Sequence, residues 1–218
     1  MSGQCRRMHL PDARELAGLT FVALDTETTG LSPRTAELVE VAAVRFRLSG
    51  EVLDRFAQLV DPCCDIPYAA TAVHGITNDM VAHKPTIHEV LPSFFEFIDS
   101  ADVVLIHNAT FDLGFLRAAA RRTTTSCPLS PVFCTLALAR RRIPELSSHR
   151  LDLLVSRFLG RSGADHRAMG DAEALRQLFA MMVQRSPEMR IYQDLLAHAR
   201  PKSFNDIPRS VRRYVPER

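Results

Sequence analysis

The sequence predicts an α/β fold in which helices pack on a mixed sheet. Two short apolar runs, at residues 20–25 and 102–107, are typical of buried central strands. Two further runs, at 40–48 and 51–60, indicate a hairpin, and segments with helical periodicity follow from residue 86. The order of strand, hairpin, helix, strand, helix and then mostly helices is typical of a sheet covered by helices.

The predicted hairpin depends on alternation and on a turn. Val44 and Phe46 alternate with arginines, so this strand is expected to have one buried face and one wet face. Ser and Gly at 49–50 form a turn signal, after which residues 51–60 return as the hairpin partner. The apolar spacing within 51–60 would also suit a helix.

The helices are predicted from the period of their apolar residues. The clearest covers 86–99, where apolar side chains form one stripe and Thr86 with Glu89 makes a capping box. Residues 111–122 form a second predicted helix. Two more are marked by the apolar stripes Leu151, Leu154, Val155, Phe158, Leu159 and Ala172, Leu175, Leu178, Phe179, Met182.

Composition excludes several classes of protein. Hydrophobic residues make up 46% and charged residues 24%, which argues against a disordered chain. No apolar run approaches the ~20 residues that span a bilayer, and no signal peptide is recognisable. We therefore expect a cytoplasmic protein that does not associate with a membrane. The 5 cysteines include no C-x-x-C pair, which indicates reduced thiols. The net charge of +2 does not by itself indicate a nucleic-acid binder.

The domain organisation follows from where the pattern begins and weakens. We expect an N-terminal arm at 1–19, one domain at 20–185 and a basic C-terminal tail at 186–218. A separate basic stretch at 140–142 indicates either a solvated helix face or the flank of a substrate channel.

Carboxylates at the ends of predicted elements are the main chemical signal. Asp25 and Glu27 end an apolar strand two residues apart, so both point to one side. Like charges there are costly to bury, and a divalent cation would offset that cost; a plain turn is the alternative. Asp112 and Asp171 each open a predicted helix, a position that helix-terminal preference alone could explain.

His166 lies five residues before Asp171, and a surface histidine is its plain interpretation. Taken together, however, four carboxylates and one histidine could converge at one sheet edge. Carboxylate ligands suit Mg²⁺ or Mn²⁺, and two such ions commonly serve phosphodiester hydrolysis. Histidine suits a general base that activates water.

These segments resemble the DEDDh family of 3′→5′ exonucleases, especially its epsilon-like members from bacterial DNA polymerase III. The likeness covers roughly residues 20–185 and implies an RNase H-like, mixed five-stranded sheet flanked by helices. The matching motifs are 21–31 (FVALDTETTGL), 73–77 (VHGIT), 107–116 (HNATFDLGFL) and 166–175 (HRAMGDAEAL).

The resemblance implies a role for each motif residue. Two divalent metal ions, Mg²⁺ or Mn²⁺, would be held by Asp25, Glu27, Asp112 and Asp171, with Asp25 as the bridge. His166 would take a proton from the attacking water, and nucleoside 5′-monophosphates would leave DNA 3′ ends. Expected substrate contacts are Thr28, Thr29, Leu31, Val73, His74, Asn108, Phe111 and Phe115, although core packing could explain the two phenylalanines.

Two alternatives remain open at this point. An exoribonuclease of the RNase T or oligoribonuclease type would use the same chemistry on RNA, since the sequence does not reveal the contact to the sugar 2′ position. A non-catalytic nucleic-acid-binding or polymerase accessory module would use the same fold. A DNA polymerase subunit is an expected partner, and the oligomeric state is not predicted.

Overall fold

The computed structural model describes residues 14–160 and 166–205, and a mixed sheet of five strands lies at its centre. The central strand pairs antiparallel on one side and parallel on the other. In chain order the strands are β1 (Phe21–Thr28), β2 (Leu38–Phe46), β3 (Val52–Leu59), β4 (Val103–Ile106) and β5 (Val132–Cys134), arranged in space as β3-β2-β1-β4-β5. The predicted fold class is confirmed, and residues 51–60 form a strand rather than a helix.

The helices of the described residues surround this sheet after a short 3₁₀ turn at Leu16–Gly18. They are α1 (Tyr68–His74), α2 (Asn78–Val81), α3 (Ile87–Asp99), α4 (Thr110–Thr123), α5 (Thr135–Arg142), α6 (Leu151–Leu159), α7 (Ala168–Gln184) and α8 (Tyr192–His198). At the start of α3 the Glu89 carboxylate accepts hydrogen bonds from the Thr86 backbone N–H at 2.7 Å and its hydroxyl at 2.9 Å. No helix in this part of the chain is long and apolar enough to cross a membrane.

Helices cover both faces of the sheet. On one face, α3 and α4 pack with Val22, Leu24 and Val41. On the other, α5, α7 and α8 pack with Phe21 and Phe133. The expectation that β2 has a wet face is therefore wrong, because nearly all of its side chains are buried between two helical layers. Arg45 is the exception, and its guanidinium donates to Asp54 at 3.2 Å.

Residues on both sides of the predicted domain limits pack into the core. Leu16 and Tyr192 are buried with the α7 side of the sheet, and Phe204 with the α3 side. Backbone hydrogen bonds join the two segments, since Leu16 N–H donates to Arg190 and Tyr192 N–H donates to Arg14. The limits of 20 and 185 stay predictions, and residues 1–13 and 206–218 lie outside the described residues.

Replacing Tyr192 tests whether this C-terminal segment belongs to the core. The Tyr192 ring is fully buried and meets Phe133 edge-on at 5.7 Å between centroids. Tyr192→Ala is expected to lower the free energy of unfolding by about 3–5 kcal/mol, because a large buried aromatic is lost. The matched change Gln193→Ala, at an exposed neighbour, should cost little in the same urea titration. Equal stability of both variants would contradict the packing.

Candidate active site

Three predicted carboxylates meet at the C-terminal end of β1. Asp25, Glu27 and Asp171 each offer an oxygen, and these oxygens lie within 4.8 Å of one another. Asp25 and Glu27 share one side of β1 because side chains alternate along a strand. Asp171 lies in the first turn of α7, which packs across β1 and β2 on that same side.

Asp112 reaches the same end of β1 from the opposite face. It lies buried in the first turn of α4, and its Oδ1 accepts a hydrogen bond of 2.8 Å from the Thr26 hydroxyl. Thr26 points away from its two acidic neighbours, so the strand has an acid group on each face. Asp112 is outside the 4.8 Å group, but its charge acts on Asp25.

Burial and mutual repulsion raise the pKa of these carboxyls. Burial is the main reason that the pKa of Asp25 lies well above its ordinary value, and Asp112, Asp171 and Glu27 add repulsion. Burial, followed by repulsion from Asp171, raises the pKa of Glu27 to about 8. Burial also raises the pKa of Asp112 to about 7, although the Thr26 hydrogen bond opposes this change. Ionisation of these carboxyl groups is therefore unfavourable unless a cation lies beside them.

The donor set fits a hard divalent cation. It consists of carboxylate oxygens, which Mg²⁺ and Mn²⁺ prefer over softer ligands. The spacing of 4.8 Å or less lets Asp25, Glu27 and Asp171 share one ion. Because Asp25 feels the charges of both Asp112 and Asp171, a cation beside it would offset repulsion from both faces of β1.

Glu40 is a site residue that the sequence analysis missed. It pairs opposite Glu27 in the β1–β2 ladder, and its side chain is buried. Its carboxylate accepts two hydrogen bonds from Arg167, at 2.7 and 3.0 Å, and one of 2.9 Å from the Ala168 N–H. Glu40 thus satisfies a free donor at the start of α7 and fixes the two residues after His166. A carboxylate inside an apolar strand was the available signal.

His166 and Asn108 line one cavity together with Asp25 and Asp171. The cavity measures ≈ 430 Å³, within the ~300–1,000 Å³ typical of ligand sites. Asn108 follows β4 with a left-handed backbone, φ 59°, a conformation that asparagine tolerates better than most residues. His166 is exposed and also left-handed, φ 46°, just before α7 begins. The structure thus brings His166 to the cavity that Asp25 and Asp171 line.

The predicted substrate contacts divide by exposure. Leu31 is 87% exposed and Val73 57%, so both apolar side chains are available to a ligand. Phe111 is half-buried against Phe115, with 5.0 Å between ring centroids. Phe115 is only 2% exposed and packs in the core, which leaves no face of its ring for a base.

The remaining predicted contacts are buried and hydrogen-bonded locally. The Thr28 hydroxyl donates to the Gly30 carbonyl at 2.7 Å, and the Thr29 hydroxyl accepts from the Glu37 N–H at 2.9 Å. His74 is buried, and its Nδ1 accepts from the Ile76 N–H at 3.0 Å. Burial lowers the pKa of His74, so its ring stays neutral near neutral pH. These three side chains shape the loops around the site.

Comparison with known proteins settles the family. The model of the RNase T exonuclease family matches residues 22–179. The chain belongs to this exonuclease family. A Mycobacterium tuberculosis protein assigned as a bifunctional exonuclease/endonuclease is 42% identical over 183 residues, which cover 80% of this chain and 28% of the relative. A PolC-type DNA polymerase III from Halalkalibacterium halodurans is 37% identical over 190 residues, 87% of this chain and 13% of the relative.

A solved structure agrees with this assignment. Exonuclease X in complex with 5′ overhanging duplex DNA superposes with a TM-score of 0.60 and 26% identity, covering 80% of this chain and 99% of that one. The predicted exonuclease family is thereby confirmed. The predicted RNase H-like fold is confirmed as well, since the nuclease domain of 3′hExo, a DEDDh family member, shares it with a TM-score of 0.66 at 20% identity. The chain spans less than a third of the two relatives named above, so their other activities do not transfer to it.

Breaking the Glu40–Arg167 pair should destabilise the protein. Arg167→Met leaves a buried carboxylate beside three others, and about 2–3 kcal/mol of unfolding free energy should be lost. This is less than for a fully buried pair, because the Arg167 side chain is 40% exposed. Arg121→Met, at an exposed arginine on α4, is the matched control for chemical denaturation. A loss no larger than the control's would show that the pair does not hold α7.

Divalent cation binding should depend steeply on pH. Protons compete for carboxyls whose pKa is raised, and Glu27 titrates at about 8, so affinity should fall as pH drops from about 8 toward 6. The expected loss is about tenfold per pH unit, with protons released on binding. Calorimetry with Mn²⁺ in buffers of different ionisation enthalpy measures both quantities. An affinity that does not change with pH would contradict the raised pKa values.

Proposed function

We propose that this protein is a metal-dependent 3′→5′ exonuclease that acts on single-stranded or frayed DNA ends. One observation carries the proposal: carboxylate oxygens of Asp25, Glu27 and Asp171 lie within 4.8 Å at the end of β1. Asp112 borders this group, and His166 lines the same cavity as Asp25 and Asp171. Membership of an exonuclease family supports phosphodiester hydrolysis as the reaction.

Each residue of the site has a defined task in this proposal. Asp25, Glu27, Asp112 and Asp171 would hold two divalent ions, Mg²⁺ or Mn²⁺. When bound, these ions neutralise charge that develops on the scissile phosphate. The exposed His166 accepts the proton of the water that attacks phosphorus.

In this proposal the phosphodiester bond is hydrolysed in one step. The water oxygen forms a bond to phosphorus, and the bond between phosphorus and the 3′ oxygen breaks. The products are a nucleoside 5′-monophosphate and a strand with a new 3′ hydroxyl. The departing 3′ oxygen takes a proton from solvent, and His166 releases to solvent the proton that it took from the attacking water, which restores the starting state.

The exposed apolar residues beside the site supply the contact to the terminal nucleotide. Leu31 and Val73 offer apolar surface without a hydrogen-bonding code, so they suit any base. Phe111 adds part of an aromatic face, and base stacking on such faces contributes about 1–3 kcal/mol. Thr28, Thr29, His74 and Asn108 act through the shape of the loops that carry them.

A proofreading role beside a DNA polymerase is the biological setting that we propose. The PolC-type DNA polymerase III relative supports this setting, since it contains a matching segment. The predicted cytoplasmic location belongs to the same proposal. It is supported by Cys63, Cys64, Cys127 and Cys134, which are free thiols within the described residues.

The proposed chemistry is tested by digesting oligonucleotides labelled at the 5′ end. With Mg²⁺ or Mn²⁺ the protein should shorten them stepwise and release mononucleotides, and EDTA should abolish this. Asp25→Asn should lower kcat at least about 10²-fold with folding retained, because charge stabilisation in the transition state is lost. Asp54→Asn, an exposed acid at the other end of the hairpin, is the control.

The same assay separates the alternatives. Full activity of Asp25→Asn, or in EDTA, would refute the proposal. Faster trimming of a matched RNA oligomer would move the function to the RNase T or oligoribonuclease type. Tight binding of DNA without cation-stimulated cleavage would favour a non-catalytic module.

A further inference from the structure

The cavity that contains the acids also has a basic and hydroxylic part that the proposed chemistry does not use. Besides Asp25 and Asp171, its lining includes Arg140 from α5 and Ser147 and Ser148 from the loop before α6. Acids and arginines therefore face the same space.

Arg140 differs from the two arginines that follow it in the surroundings of its charge. The last turn of α5 contains three arginines. The positive charge of each one interacts favourably with the negative end of the helix dipole. Arg142 forms an ion pair with Glu188, and Arg141 is exposed and does not line the cavity. Arg140 lines the cavity and forms no ion pair with any residue that the structure describes. Helix stabilisation alone does not explain this placement.

The second arginine of the lining, Arg150, already has a carboxylate partner. Arg150 donates to both carboxylate oxygens of Asp152, at 3.1 and 3.0 Å. A carboxylate beside a guanidinium lowers the net charge that the pair presents to an anion. Arg140 is thus the arginine of this wall that has no carboxylate partner among the described residues.

The loop that contains the two serines is anchored at both ends. His107 Nε2 donates to the His149 carbonyl at 2.9 Å, and His149 Nε2 donates to the Ile143 carbonyl at 2.8 Å. Burial lowers the pKa of His107 to about 4, so its ring is neutral and its Nδ1 accepts from the Thr135 hydroxyl at 3.1 Å. Residues 143–149 are therefore held against the end of β4 before any ligand arrives.

A nucleotide chain needs a cation at this position. It has a negative charge at every phosphate, and the carboxylates repel each phosphate that is not paired with a cation. A guanidinium with several fixed donors, flanked by hydroxyls, is well suited to a phosphate. The cavity is large enough to hold more than the scissile group.

We propose that Arg140, with the hydroxyls of Ser147 and Ser148, forms a subsite for a non-scissile phosphate of the nucleic acid. The inference rests on the proposed exonuclease function and deepens it. It makes a strand with at least two phosphodiesters a better substrate than one with a single ester, independent of base sequence.

Two substrates and two variants test this subsite. One substrate is a single-stranded DNA oligomer; the other is the p-nitrophenyl ester of thymidine 5′-monophosphate, which contains only the scissile phosphate. Arg140→Gln should raise KM about 10-fold for the oligomer, as expected for loss of a charged hydrogen bond, and leave the ester unaffected. It should also reduce the slope of log KM against log salt by about 0.7.

Arg141→Gln is the matched control, because it removes the same charge one residue away. It should leave KM unchanged for both substrates. Equal effects of the two variants, or an equal loss on the ester, would overturn the subsite.

Different outcomes would refute the phosphate subsite and the exonuclease proposal. If the unchanged protein cleaves neither substrate, the exonuclease proposal fails. Fluorescence anisotropy of a labelled oligomer in EDTA then still tests the subsite: Arg140→Gln must weaken binding about 10-fold and Arg141→Gln must not. Unchanged binding by Arg140→Gln would overturn it.

Discussion

Repulsion among buried carboxylates at the end of β1 is the constraint on which the rest of the site depends. The acids come from both faces of one strand, so Asp25 feels Asp112 from α4 and Asp171 from α7. The fold opposes this repulsion locally, through the Thr26 hydroxyl on Asp112 and the Arg167 guanidinium on Glu40. It does not remove the repulsion at Asp25 and Glu27, so a cation would be attracted there.

The central fold could be predicted because its signals are local. The pair Asp25 and Glu27 follows an apolar strand, and a period of two is enough to place both on one side. Asp112 and Asp171 both lie in the first turns of helices, as their positions indicated. Short elements such as α1, α2, β5 and α8 were missed because three to seven residues show too little periodicity.

Other features depend on tertiary contacts that no periodicity reveals. The proximity of Glu40 to the site depends on the register between β1 and β2, which places it opposite Glu27. The burial of both faces of β2 depends on a second helical layer. The burial of Phe115 could not be predicted either, because the motif does not show which side of α4 faces the core.

The site is assembled from distant parts of the chain, because Asp25 on β1 meets Asp112 only through α4 and Asp171 only through α7. A nascent polypeptide on the ribosome contains the first acids long before the last. It therefore has no complete centre until α7 has been synthesised and has docked. Under the proposed function, translation order itself delays the appearance of nuclease activity, because a chain that ends before α7 lacks Asp171.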